Sequence, residues 1–214
     1  MSESLPVSDA PDAVSVERVM KDNYNALIKL LAGRVAVIAI LVVVPTALYK
    51  AGAPNTIFLV LPFIPAVFLF ILTVYRLWAG VRLIQCRKVL CHYPLRFHTR
   101  VVKKSSLWTV YGNVFEVKIS TRGEHGAQLM KGINAAGRRR WPDGAEDGVW
   151  IAGDLAFGGV MVVPGSNSML FLSPADWDKL APRREQAGAE RIALAEKAGI
   201  NKKNWRKPVL LWGG

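Results

Sequence analysis

Four residues near the middle of the chain, Cys86, Cys91, His92 and His98, carry side chains that ligate metals, in the pattern Cys-x4-Cys-His-x5-His. A structural zinc site needs a second ligand pair brought back by a turn, and adjacent Cys91 and His92 on a strand would face opposite ways. The spacing therefore predicts no metal site, and both cysteines read as reduced, partly buried thiols. Asp143, Glu146, Asp147 and Asp154 cluster around the segment between Trp141 and Trp150, where carboxylates could hold a cation or move a proton. They lack the alternating ligand spacing of a calcium loop, and no histidine or nucleophile is tied to them, so they read as solvated loop charges. Ser166 and Ser168 lack a Gly-x-Ser-x-Gly elbow, and Gly158-Gly159 lacks the Lys-Ser/Thr of a phosphate loop. No catalytic residue, cofactor or metal is assigned, and the chain reads as a non-enzyme. The alternative is an enzyme acting on a lipid or envelope precursor, with Asp154 or His98 as its candidate residues.

Basic residues carry a stronger signal. Arg138-Arg139-Arg140-Trp141 is the densest cationic run, and such a group could hold phosphates of a lipid or a nucleic acid. The competing reading is a solvated loop, or one paired with the acids just downstream. Of the 214 residues, those from Arg76 onward carry the whole net charge of +12. An anionic surface is the natural partner, with the lipid headgroups of a bilayer placed before nucleic acid. Arg82, Arg87 and Lys88 are expected to lead the contact, joined by Arg138, Arg139 and Arg140 if their loop faces the bilayer.

These side chains are positioned by two apolar runs between Val35 and Tyr75, separated by Lys50-Ala51-Gly52-Ala53-Pro54-Asn55. The second run, Ile57 to Tyr75, is uncharged; at ~1.5 Å per residue it makes roughly 29 Å of helix, close to the ~30 Å hydrocarbon core of a bilayer. The first, Val35 to Tyr49, is shorter and reaches bilayer thickness if Arg34 and Lys50 snorkel to opposite interfaces. The two read as a hairpin of transmembrane helices rather than a cleaved signal peptide. Lys21, Lys29 and Arg34 precede it and a long series of basic residues from Arg76 follows, so both termini are expected in the cytoplasm of a multi-pass plasma-membrane protein. Spans without ionisable groups at their centres argue against a pore or transporter.

Residues 1–15 read as a disordered acidic arm, and the stripe Val16, Val19, Met20, Asn23, Tyr24, Leu27, Leu31 as an amphipathic lead-in at the interface, or the first turns of a long span. The hairpin is assigned to 16–81. From Tyr93 to Val101, and again from Phe115 to Ile119, the period is two, as in half-buried antiparallel strands. Further strands are expected at Gln128–Ile133, Val149–Gly153, Val160–Val163 and Met169–Leu172, with turns at Arg122-Gly123, Pro142-Asp143-Gly144, Gly158-Gly159 and Pro164 to Asn167. The fold class is therefore a membrane α-helical hairpin plus a small antiparallel β-rich cytoplasmic domain, a roll or barrel over 82–173, with a C-terminal helix and basic tail over 174–214. Ser173 is expected to cap that helix with Pro174 at its first position, the helix breaking near Pro182 and resuming to about Lys197.

Gly137 to Pro142, Gly148-Val149-Trp150-Ile151-Ala152-Gly153-Asp154, Phe157-Gly158-Gly159-Val160, Val163 to Asn167 and Pro174-Ala175-Asp176-Trp177 resemble small actinobacterial integral membrane proteins of unknown function. The layout alone is similar to bacterial pleckstrin-homology-like membrane proteins, in which a hairpin precedes a β roll closed by a helix. The resemblance implies a fold and no activity. The expected role is a binding or scaffolding module at the inner leaflet, with a protein partner or a second copy as further partners. An accessory subunit of a larger membrane transport or conjugation complex is a further alternative.

Overall fold

The computed structural model describes residues 14–52, 60–99, 101–109, 112–119 and 127–202. The acidic arm, most of the link between the apolar runs, the Arg122-Gly123 turn and the tail bearing Trp205 and Trp212 lie outside the described residues.

Two long helices come first. In α1 (Val16–Lys50) the Ser15 side chain accepts the Arg18 N–H at 3.4 Å, closing the first turn. In α2 (Phe63–His92) Pro62 is the cap and Pro65 falls in the first turn, where a missing N–H forfeits no helical bond. Both helices are long and apolar enough to cross a membrane. Leu27 lies beside Gly80 and Arg34 reaches the Leu72 carbonyl, so the pair runs antiparallel. Of the two readings of the stripe that begins at Val16, an interfacial lead-in or the first turns of a long helix, the continuous α1 agrees with the second, and its Val19, Met20, Asn23 and Leu27 are buried against protein rather than at an interface. An amphipathic stripe is satisfied by either kind of apolar surface, and here a sheet supplies it.

That sheet has seven antiparallel strands: β1 (Arg96–His98), β2 (Val101–Thr109), β3 (Gly112–Ile119), β4 (Gln128–Asn134), β5 (Val149–Asp154), β6 (Gly158–Val163) and β7 (Ser168–Pro174). Their spatial order is β1-β5-β6-β7-β4-β3-β2. The two edge strands are consecutive in the chain, with two residues between His98 and Val101, so the sheet must curl to bring its edges together at that end. The result is a half-barrel. Its inside is filled by Phe115, Val117, Ile119, Met130, Met161, Leu170 and Leu172. The outside of β5, β6 and β7 packs Ala152, Val160, Val162, Met169 and Phe171 against Val19 and Leu27 of α1 and Leu83, Cys86 and Val89 of α2. Buried on both faces, β6 and β7 have no exposed residue and read as apolar runs rather than alternations.

Two expectations are corrected here. The alternation from Tyr93 to Val101 spans three environments: Tyr93 caps α2, β1 covers only three residues, and a separate strand β2 begins at Val101. Ser173 and Pro174 open no helix, because their pairing with Lys131 and Met130 extends β7. The chain turns afterwards through a 3-10 segment, Asp178–Leu180, with Asp176 accepting the Lys179 N–H at 3.1 Å, then α3 (Ala181–Glu185) and α4 (Gly188–Ala198). Gly199 ends α4 in the left-handed region, and Ile200 then folds back into the core with its N–H on the Ala195 carbonyl at 2.9 Å.

Gly153 and Gly159 face each other across β5 and β6, and a β-carbon on Gly159 would lie 2.5 Å from the Ala152 carbonyl oxygen. Gly159→Ala should therefore destabilise the fold by about 2–3 kcal/mol through backbone overpacking. Gly165→Ala, in open space at φ +72, should lose only about 1 kcal/mol from its left-handed backbone. Thermal melts of the two variants in the same detergent test the difference.

Candidate functional site

Two polar regions stand out, one where the helices meet the loop after β4 and one at the far end of the sheet. In the first, β4 ends at buried Asn134, whose side-chain oxygen accepts the N–H groups of Ala136 and Arg138 at 3.1 and 3.2 Å. This pair of bonds turns the chain tightly. Gly137 follows at φ +74, and a β-carbon there would meet the Arg76 guanidinium. With glycine in place, buried Arg76 of α2 donates to the Gly137 carbonyl. Arg34 of α1 donates to the Leu72 carbonyl at 3.2 Å. Arg34 and Arg139 are both close enough to Arg76 to repel it. Arginines from three segments distant in sequence thus share one corner.

Arg138, Arg139 and Arg140 leave that corner exposed to solvent. Arg138 donates to the Ser168 hydroxyl at 3.4 Å, and the Arg139 carbonyl accepts from Asn113 of β3. Trp141 turns inward, edge-on to Phe115 with centroids 5.2 Å apart, so it anchors the loop in the barrel instead of offering its face to a ligand. The structure brings Arg138, Arg139 and Arg140 together with Arg34 and Arg76. Arg82 lies near enough to Arg76 to feel its charge, whereas Arg87 and Lys88 are not brought to them. Arg82 is half-buried on α2, with a guanidinium nitrogen out of contact with solvent. Arg87 and Lys88 are exposed but lie roughly 17 Å further along the helix, at ~1.5 Å per residue.

The second region is a groove of about 750 Å³ whose lining includes Tyr93, Arg96, His98, Asp154, Arg183 and Arg191. Asp154 is committed to structure. One carboxylate oxygen accepts the Ala156 N–H at 3.0 Å, shaping the β5–β6 turn, and the other takes Arg191 of α4 at 2.8 and 2.9 Å. The Tyr93 hydroxyl is out of contact with solvent and has no hydrogen-bond partner among the described residues. Burial pushes its phenol up to about 12; negative Asp154 adds to the shift and Arg191 opposes it.

Among the described residues no group of three His, Cys, Asp or Glu side chains could hold a metal ion. Cys91 and His92 sit on the last turn of α2 rather than on a strand; Cys86 is buried, Cys91 is exposed, and the His92 Nδ1–H donates to the Lys88 carbonyl at 2.7 Å. Asp143, Glu146 and Asp147 are exposed in a turn. Ser166 accepts the Ser168 N–H at 3.4 Å within the β6–β7 turn.

Sequence reasoning missed two residues. Arg76 was only the first charge after an apolar run, and nothing near it pointed to Gly137. Asn23 was read as part of an apolar stripe, yet its buried amide donates to the Asn167 carbonyl at 2.7 Å, while Asn167, at φ 49, donates to Asp22 at 2.8 Å. A polar residue inside an otherwise apolar stripe was the available signal.

Tyr93 makes a pH-dependent contribution. Because its folded pKa lies above the unfolded value near 10, the neutral phenol's stabilisation is whole below about pH 10 and is lost as pH rises through about 12. Absorbance at 295 nm should show a late tyrosinate component near pH 12 that Tyr93→Phe removes, and Arg191→Ala should move that component higher. No protein-family model, curated protein or solved structure matches the chain.

Proposed function

We propose that the chain is an integral membrane protein whose two long helices span a bilayer and whose basic β domain works at the anionic inner leaflet as a binding or scaffolding module. The observation that carries this reading is the bond from Arg76 to the Gly137 carbonyl. Arg76 follows the apolar part of α2 directly, as Arg34 precedes that of α1. A loop tied to Arg76 stands at the level where the helices leave hydrocarbon, and Arg138, Arg139 and Arg140 are then presented to headgroup phosphates. The apolar side chains support the span. Val35, Ile40, Val43, Ile64, Val67 and Phe68 are among the large residues exposed on the two helices, a patch that water would not tolerate. Basic residues before α1's apolar half and after α2's put both termini on the cytoplasmic side.

The enzyme reading gains one observation, that His98 and Asp154 line the same groove. It loses more, because both Asp154 oxygens already hold the β5–β6 turn and α4.

Near an anionic surface each exposed arginine contributes about 1 kcal/mol, so the three together contribute about 3 kcal/mol, or roughly a hundredfold in docked population. With the full chain in vesicles, amide exchange over residues 135–142 should be slower in anionic than in neutral lipid. Replacing Arg138, Arg139 and Arg140 with Ala should erase the difference, as should ~1 M salt, where the Debye length falls to ~3 Å. Equal protection in both lipids would sink the electrostatic reading.

Orientation has its own test. An impermeant thiol reagent should leave Cys91 untouched in sealed cells and label it once the membrane is opened, while buried Cys86 stays silent until the fold is lost. Reaction of Cys91 in sealed cells would reverse the assigned topology.

A further inference from the structure

The face of α2 that points away from the sheet carries an unbroken apolar seam. Val67, Phe70, Val74, Leu77, Val81 and Ile84 follow one another at spacings of three, four, three, four and three. At about 100° per residue they form one stripe, opposite the stripe of Ala79, Leu83 and Cys86 that packs on the domain. Lipid accounts for the first part of the seam but not for its end. Leu77, Val81 and Ile84 are 55%, 43% and 52% exposed, and all three lie beyond Arg76. If the leaflet contact is made through Arg138, Arg139 and Arg140, hydrocarbon reaches no deeper than the Arg76 level, since three exposed arginines do not sit in it. Ile84 is then about 12 Å past that boundary, beyond a headgroup zone about 5–8 Å thick.

We infer that this seam is the contact between two copies of the chain, α2 against α2. Copies inserted in one bilayer with the same topology present this helix in parallel, and a stripe repeating every 3.5 residues fits its own copy with a left-handed crossing of roughly 20°. A two-fold contact of this kind requires a self-complementary surface, which a purely apolar seam provides. One continuous stripe serves both the lipid-exposed half and the half beyond it. The next position of the repeat is exposed Lys88, where the apolar seam stops. This assignment rests on the leaflet reading, which sets the depth of Leu77 to Ile84.

The test uses the full chain carrying Cys91→Ser, in vesicles of neutral and of anionic lipid at low protein-to-lipid ratio. Copper-phenanthroline oxidation should link Val81→Cys between copies at least tenfold faster than Arg87→Cys, which is exposed and about 120° away from Val81 round the helix. In mild detergent the native mass should be that of two chains, and Leu77→Glu with Val81→Glu should reduce it to one while the thermal melt of the β domain persists. Linking no faster than at Arg87→Cys, or a single-chain mass for the unsubstituted protein, overturns the dimer. So does a nitroxide on Val81→Cys in single chains relaxed by oxygen rather than by a water-soluble nickel chelate, which would place the stripe in lipid. The leaflet reading fails separately, when exchange over 135–142 ignores lipid charge.

Discussion

A buried arginine that must be hydrogen-bonded joins the two halves of this molecule. Arg76 is 4% exposed, and a guanidinium taken out of water is strongly destabilising unless it finds acceptors. It finds the Gly137 carbonyl, and that one bond couples α2 to the loop after β4. A second clamp lies at the other corner, where Asn23 and Asp22 of α1 grip the β6–β7 turn through Asn167. With one polar clamp on each helix and an apolar layer between them, the sheet is held to the hairpin at both corners. The loop arginines therefore inherit their position from the helices.

The helices have two uses along their length. From Val16 to Leu27 in α1, and from Ala79 to Val89 in α2, they form one wall of the domain core; elsewhere many of their large apolar side chains, among them Val35, Ile40, Val43, Ile64 and Phe68, lie exposed. The β domain is consequently incomplete without them. A fragment beginning at Gln85 would lack Val19, Met20, Leu27, Ala79 and Leu83, leaving the outer faces of β6 and β7 uncovered. Strands buried on both faces have no wet side to fall back on, so the hairpin is part of the fold rather than an anchor appended to it.

How legible the fold was depended on whether its signal was local. The two apolar runs, the alternation of β3 and the breaks around β5, β6 and β7 are local, and the helices and strands overlap them, although the run expected as helix from Ile57 turns at Leu61 and Pro62 and α2 starts only at Phe63. β2 was missed because Lys103-Lys104-Ser105-Ser106 carries no apolar alternation, and the ladder itself slips between Lys103 and Ser105. Ser173-Pro174 has the chemistry of a helix start, but a ladder partner in β4, more than forty residues earlier, decides otherwise. The amphipathic stripe of α1 was legible as a stripe and silent about what covers it. At the candidate sites the residue types were readable and the assembly was not. Arg76 and Gly137 are 61 positions apart, and Tyr93, His98 and Asp154 converge on one groove only because β1 pairs with β5.

The arginine corner sets the last constraint. Arg34, Arg76 and Arg139 repel one another, and burial of Arg76 weakens the solvent screening that would make such a cluster harmless. The hydrogen bonds of Arg34 and Arg76 run to neutral carbonyls, which satisfy donors without cancelling charge. A fold that gathers cations in this way is under less strain with an anion beside it than without one.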